Sequence, residues 1–189
     1  MCFDQLIVHA SSPTFCNIKP GNMFFVKNES FSHDRFENWK KSFSNYGLQT
    51  FSTKLSETTT AILVLNLRWT RKILSEKAVQ TYLSEKAHNT VNVFEFVEEL
   101  FTRMKKNTGF PHEVGVILGY PVEDVIEFEK HGGQGYKYCG CWKSYCDVEK
   151  AKKCQCKYKA CISMCDRMYE QGYSLKQIIE EYGKCADVA

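Results

Sequence analysis

Residues 58–67, with the sequence TTTAILVLNL, contain the pattern that decides the fold class. Their centre, residues 61–65, is an unbroken apolar run. A run of this length without polar alternation is typical of a strand buried on both faces. It is far shorter than the roughly 20 apolar residues that a membrane-spanning helix needs. We therefore predict a central strand of a small sheet and no membrane partner.

The segments before this strand predict the rest of the sheet. Residues 23–26 form a short apolar strand after a Pro-Gly turn signal, and residues 48–55 form an extended segment. Between them a helix is expected, with Ser32 as its N-cap and Gly47 as its end. The predicted order is strand, helix, strand, strand. The helix is indicated by four aromatic residues at helical spacing: Phe36, Trp39, Phe43 and Tyr46.

From about residue 70 onward, helical signals dominate. Asn92 begins a capping box, and Asp147 and Ser174 are the expected N-caps of the last two helices. The sequence thus predicts an α+β fold, with the small sheet in the N-terminal half and a helical C-terminal half packed on it. We assign residues 1–90 to a small α+β unit and residues 91–189 to a helical subdomain, the two forming one compact domain.

The composition of the chain excludes several classes of protein. Its 189 residues are 43% hydrophobic and 14% aromatic, which is the content of a globular chain and not of a disordered one. A net charge of +3 is too small to indicate a nucleic acid or an anionic membrane as the partner. The N-terminal residues 1–4, MCFD, carry no secretion signal, so a cytoplasmic location is expected.

The cysteines are the most unusual feature of the sequence. Seven of the ten lie within residues 139–165, and six of these repeat the pattern Cys-x-Cys-x4-Cys at an interval of 15 residues. Within the predicted last-but-one helix, Cys154, Cys161 and Cys165 fall on one apolar stripe, where a free cysteine packs like a small hydrophobic residue. Cys156 lies off the stripe and is expected to be exposed.

Thiolates are natural ligands for zinc, copper(I) and iron–sulfur centres. We therefore predict a soft-metal site, holding zinc or iron, on thiols that lie close together in sequence. Two alternatives stay open, namely reversible thiol oxidation and inert packing. The candidate ligands are Cys139, Cys141 and Cys146, with a fourth thiol from Cys154 or Cys156.

Three stretches carry a family resemblance. They are residues 110–125 (FPHEVGVILGYPVEDV), 135–140 (GYKYCG) and 142–145 (WKSY). Together they resemble DUF3793, a bacterial and mainly clostridial family of proteins of unknown function. The resemblance implies an intracellular protein without an assigned activity, and it supplies no catalytic residues.

Residues 114–128 also resemble a helix-turn-helix, with Pro111 and Pro121 expected at the first positions of two short helices. The second helix would bring four carboxylates to the phosphates of DNA, which repel them. We therefore predict no sequence-specific binding of DNA. These carboxylates belong to Glu123, Asp124, Glu127 and Glu129.

No catalytic motif is present, and we expect a binding or accessory protein that is not an enzyme, with a small ligand or a protein as its partner. Its functional surface is predicted within residues 110–146, because loops on a rigid scaffold commonly carry binding groups. A thiolate metal or redox protein is the alternative. Binding of nucleic acid through the basic, aromatic residues 130–167 is a third possibility. The candidate ligand-binding residues are His112, Glu113, Tyr120, Glu123, Asp124, Lys137, Trp142 and Lys143.

Overall fold

The computed structural model of the chain describes residues 2–88, 92–106 and 109–186. The architecture is α+β, as predicted. A three-stranded antiparallel sheet lies in the N-terminal half, and helices form most of the C-terminal half. Among the described residues, no helix combines the length and the apolar character needed to cross a membrane.

The chain divides into two compact units. Residues 1–68 and 158–189 form one of them, which we call the sheet unit, and residues 69–157 form the other, the hairpin unit. The long helix α8, Val148–Glu170, gives its first part to the hairpin unit and its last part to the sheet unit. The sheet unit is therefore built from both ends of the chain, and the hairpin unit from its middle.

The central strand of the sheet is β3 (Thr59–Asn66), which lies between β1 (Gly21–Lys27) and β2 (Leu48–Lys54). The apolar run of residues 61–65 therefore lies in the central strand, and this prediction is confirmed. Leu63 pairs with Met23 on one side and with Phe51 on the other, and its side chain is fully buried. Besides part of α8, the elements of the sheet unit are α1 (Phe3–Phe15), β1 (Gly21–Lys27), a 3-10 turn (Asn28–Ser30), α2 (His33–Ser44), β2 (Leu48–Lys54), β3 (Thr59–Asn66) and α9 (Leu175–Ala186), with α3 beginning at Leu67.

Helix α1 precedes the predicted strand-helix-strand-strand order, and sequence reasoning missed it. Its last turns contain two serines and Pro13, which are weak helix formers. Ile7 and Val8 are completely buried, so packing of one apolar face stabilises the helix despite its composition.

The predicted helix starts are confirmed by side-chain hydrogen bonds. The Asn92 side chain accepts from the backbone N–H of Phe94 at 2.9 Å, and the Asp147 carboxylate accepts from that of Lys150 at 2.9 Å. Pro111 and Pro121 were each expected at the first position of a helix, and these two predictions were less accurate. Pro121 is the N-cap residue of α7 (Val122–Lys130) and not its first helical residue, because its ψ of 132° is extended.

In the part of the hairpin unit that the structure describes, the helices α3 to α7 are followed by a two-stranded hairpin. The hairpin is short, with Tyr138 opposite Ser144 and Cys139 opposite Lys143. Helix α6 (Val114–Ile117) is a single turn, and it begins three residues after Pro111, the residue expected at its first position. The elements, in chain order, are α3 (Leu67–Leu74), α4 (Lys77–Glu85), α5 (Val93–Lys105), α6 (Val114–Ile117), α7 (Val122–Lys130), β4 (Tyr138–Cys139) and β5 (Lys143–Ser144).

Candidate functional site

Three thiols meet in the core of the sheet unit. The Sγ atoms of Cys16, Cys161 and Cys165 all lie within 4.8 Å of one another, and those of Cys16 and Cys165 are 3.6 Å apart. Among the described side chains, those of residues 2–88, 92–106 and 109–182, this is the only group of three or more His, Cys, Asp or Glu close enough to share a metal ion. We call it the three-thiol cluster.

Local backbone geometry brings the thiols together. Cys161 and Cys165 are four residues apart on α8, so their side chains share one helical face. Cys16 is the C-cap residue of α1, and the chain reverses directly after it. Asn17 adopts a left-handed φ of 56°, and the backbone N–H groups of Ile18 and Lys19 both donate to the carbonyl of Pro13. This turn holds Cys16 at the end of α1.

The three-thiol cluster is enclosed by apolar side chains. Cys16 is 1% exposed, Cys161 5% and Cys165 0%. The surrounding core contains residues from α1, from α2, from the sheet and from α9, among them Ile7, Phe43, Ile62 and Ile178. An ion held here is therefore shielded from bulk water.

The thiols also act on each other electrostatically. Thiol donors on Cys16 and Cys161, followed by the hydroxyl of Ser12, stabilise a thiolate at Cys165 and lower its pKa. The same contacts, with Cys161 and then Cys165 as partners, raise the pKa of Cys16, and burial adds to this rise. The cluster thus titrates as one coupled group.

The cysteines predicted as metal ligands do not form a group of this kind. Cys139 and Cys146 are exposed, Cys141 is half-buried, and on α8 Cys154 is half-buried while Cys156 is exposed. Burial of Cys161 and Cys165 agrees with the apolar stripe found in the sequence. Metal binding by the five predicted cysteines stays a prediction.

Three of the candidate ligand-binding residues, Tyr120, Asp124 and Trp142, meet in an anchor of the hairpin unit. The Asp124 carboxylate, 2% exposed, accepts hydrogen bonds from Trp142 Nε1 at 2.7 Å and from the backbone N–H groups of Tyr145 at 2.8 Å and Cys146 at 2.9 Å. Tyr120 stacks on Trp142 with ring centroids 5.3 Å apart. These contacts fix the hairpin against α7.

Glu113 belongs to a second buried network. Its Oε1 atom lies 2.8 Å from His88 Nε2 and 3.0 Å from Arg103 Nη1. His88 Nδ1 lies 3.0 Å from Glu99 Oε2, and Arg103 donates to Glu99 and to the carbonyl of Lys86. His88, Glu99 and Arg103 were not predicted, because nothing in their sequence spacing links them to Glu113.

The other candidates line the surface of the hairpin unit. His112 packs against the ring of Phe128 at 4.8 Å, and the Lys143 ammonium lies over Phe128 at 5.6 Å and over Tyr136 at 4.8 Å. Glu123 and Lys137 are exposed. Within residues 130–167, the stretch considered for binding nucleic acid, the rings of Trp142, Tyr145 and Tyr158 are buried.

A cleft of about 800 Å³ also opens on the sheet unit beside α2. Several of its polar groups pair with neighbouring side chains. Asp4 accepts from Arg35 and from Trp39 Nε1, and Tyr46 donates to Glu180 at 2.9 Å. These pairs explain the polar lining as part of the packing of α1, α2 and α9.

The Glu113 network predicts loss of stability in acid. Burial opposes ionisation of Glu113, but the hydrogen bond from His88 and the charges of His88 and Arg103 outweigh it, so its pKa lies below the ordinary 4.5. Ionised Glu113 therefore contributes full stability above pH 4.5, and this contribution falls as the pH drops through the lowered pKa. Urea unfolding at several pH values should give a shallower acid dependence for Glu113→Gln than for the wild type. Equal slopes would contradict the prediction.

Comparison with known proteins identifies a family but no characterised relative. The family model described as "Protein of unknown function (DUF3793)" matches residues 7–179. No curated protein and no solved structure shows significant similarity to the chain.

Proposed function

Because the chain belongs to the DUF3793 family, whose description assigns no activity, we propose a function from the geometry: the protein binds one soft metal ion through the three-thiol cluster. One observation carries this proposal, the mutual approach of three Sγ atoms within 4.8 Å. Cys16 is separated from the other two thiols by more than 140 residues of sequence, so local sequence spacing does not explain the approach.

The distances suit a bound ion. With metal–sulfur bonds of about 2.3 Å, tetrahedral ligation separates two sulfur atoms by about 3.8 Å. Cys16 and Cys165 are 3.6 Å apart before any ion is present, so they need to move by only a few tenths of an ångström. Zinc, iron and copper(I) all accept thiolate ligands.

Inert packing is the main competing explanation, because a buried free cysteine serves well as a small hydrophobic residue. Packing accounts for the burial of each thiol taken alone. Packing does not require that three thiols lie next to one another. An apolar side chain such as valine would fill the space of any one of them equally well.

The proposal also implies a compartment. Three thiols must stay reduced to bind an ion, and the cytoplasm keeps thiols reduced. We therefore propose a cytoplasmic location, in agreement with the expectation from the sequence.

The test is an anaerobic titration with cadmium, which gives an ultraviolet absorption band when thiolates bind it. We expect one ion per chain, and we expect the affinity to fall by about 100-fold in Cys161→Ala, because one ligand is lost. The matched control is Cys156→Ala, on the same helix but exposed, which should bind like the wild type.

Two outcomes of this titration would contradict the proposal. Absence of the band in the folded wild type would leave the cluster as packing alone. Loss of binding in Cys156→Ala, with Cys161→Ala unaffected, would move the site to the cysteines predicted from the sequence. Circular dichroism of each variant checks that it folds.

A second candidate function is binding of a ligand or protein by the 110–146 segment. It is favoured by a continuous aromatic and cationic surface on the hairpin unit, where Phe110 is 45% exposed, Tyr136 is 42% exposed, and Lys143 lies over two rings. Exposed aromatic residues and cations are common at binding surfaces. A cellular phenotype that is lost in Lys143→Ala and Tyr136→Ala but kept in Cys161→Ala would favour this candidate over metal binding.

A further inference from the structure

The three-thiol cluster offers three thiol ligands. Within the described part of the chain, no fourth His, Cys, Asp or Glu joins the group. Since the three cysteines are between 0% and 5% exposed, bulk water is also a poor source of a fourth ligand. Zinc in a structural site takes four ligands, so this arrangement completes only part of the shell that zinc prefers.

The surroundings of the cluster also discriminate between ions by charge. Three thiolates carry three negative charges, so a monovalent ion leaves a net charge of −2, a divalent ion leaves −1 and a trivalent ion leaves none. The side chains of the enclosing core, such as Ile7, Phe43 and Ile178, are apolar. An uncompensated charge in such surroundings is costly, so a neutral complex is favoured.

We propose that the three-thiol cluster binds trivalent arsenic taken up as arsenite, an inference that rests on the proposed function and names its ligand. Trivalent arsenic forms three bonds to sulfur and keeps a lone pair in the fourth position, so three thiols complete its shell. Its tris-thiolate complex carries no charge. Both properties match the cluster.

The reaction balances without an oxidant or a reductant. Arsenous acid, As(OH)3, exchanges its three hydroxyl groups for the sulfur atoms of Cys16, Cys161 and Cys165. Three As–O bonds break and three As–S bonds form, and each hydroxyl leaves as water with one thiol proton. Arsenic stays trivalent, and neither reactants nor products carry a net charge.

A divalent ion is the competing occupant, because one buried cation would compensate the charge of its complex. Lys19 is 6% exposed, and its ammonium lies over the ring of Tyr158, 5.6 Å from the centroid and one helical turn before Cys161. A divalent complex paired with Lys19 would also be neutral. The experiment must therefore compare the two classes of ion on the same protein.

The test uses the full chain, reduced and anaerobic, titrated separately with arsenite and with cadmium. We expect native mass spectrometry to detect one arsenic atom with the loss of three protons, and X-ray absorption to detect three As–S bonds and no As–O bond. Arsenite should displace bound cadmium.

In Cys16→Ala, the affinity for arsenite should fall by about 100-fold, because a third tethered thiol no longer adds its effective concentration. Cys2→Ala, which removes an exposed thiol that is not among the candidate metal ligands, is the control and should bind arsenite like the wild type.

The outcomes separate this inference from the proposed function. If cadmium binds at the cluster and arsenite does not displace it, the arsenite inference is overturned and soft-metal binding stands. If neither binds the folded protein, both are overturned. If Cys16→Ala binds arsenite as tightly as the wild type, the arsenic lies on other cysteines and the inference is overturned. Loss of arsenite binding in Cys16→Ala, with the control variant unaffected, supports the inference.

Discussion

Replacing Asp124 by alanine should lower the free energy of unfolding of the hairpin unit by about 3–5 kcal/mol. The variant removes one buried carboxylate that accepts three hydrogen bonds, and it leaves Trp142 Nε1 and two backbone N–H groups without this acceptor. A buried donor that loses its partner bears its desolvation penalty in full. Urea unfolding followed by Trp fluorescence measures the loss.

Two control variants define the cause. Asp124→Asn keeps one carbonyl oxygen for the backbone donors of the hairpin but presents an amide donor to Trp142, so we expect an intermediate loss. Glu123→Ala removes the adjacent exposed carboxylate and should change stability by no more than about 0.5 kcal/mol. If Asp124→Ala were as mild as Glu123→Ala, the carboxylate would not be the anchor of the hairpin.

Replacing Leu63 by alanine should destabilise the sheet unit by about 2–5 kcal/mol. Leu63 is at the centre of β3, is 0% exposed, and has a neighbouring strand on each side. The loss combines the transfer free energy of the removed atoms with the cavity that they leave, because the flanking strands restrict collapse around it. Chemical denaturation followed by circular dichroism measures it.

The matched control for Leu63 is Phe25→Ala in the neighbouring strand β1. Phenylalanine loses more atoms than leucine, but Phe25 is 50% exposed at the edge of the sheet. We expect it to cost clearly less than Leu63→Ala, because little apolar surface returns to water. A larger loss at Phe25 would mean that side-chain size, and not burial in the central strand, determines stability here.

The sequence predicts this fold well where a pattern is local. The apolar run of residues 61–65 is continuous, so it identifies a central strand directly, and Asn92 and Asp147 mark helix starts through bonds made within three residues. Helix α1 lacks such a signal. Its stability comes from the burial of Ile7 and Val8 in tertiary contacts, which local propensity does not contain.

The candidate site shows the same limit. The stripe on α8 predicts that Cys161 and Cys165 face the core, and they do. Nothing near Cys16 in the sequence indicates that it joins them, because the contact depends on the turn after α1 and on the packing of distant segments. Sequence spacing instead favoured Cys139, Cys141 and their neighbours, which are close in the chain but are exposed or half-buried, in and beside a short hairpin and on the first part of α8.

The discontinuous sheet unit has a consequence for synthesis on the ribosome. The three strands are complete once residue 68 has been translated, but the rest of the unit begins only at residue 158, about 90 residues later. At roughly 5–20 residues per second, the nascent sheet waits about 5–20 s for its C-terminal helices. During this interval apolar surface that α8 and α9 later cover is open to chaperones, and Cys16 has no partner thiols. The three-thiol cluster can therefore form only after Cys165 has left the exit tunnel.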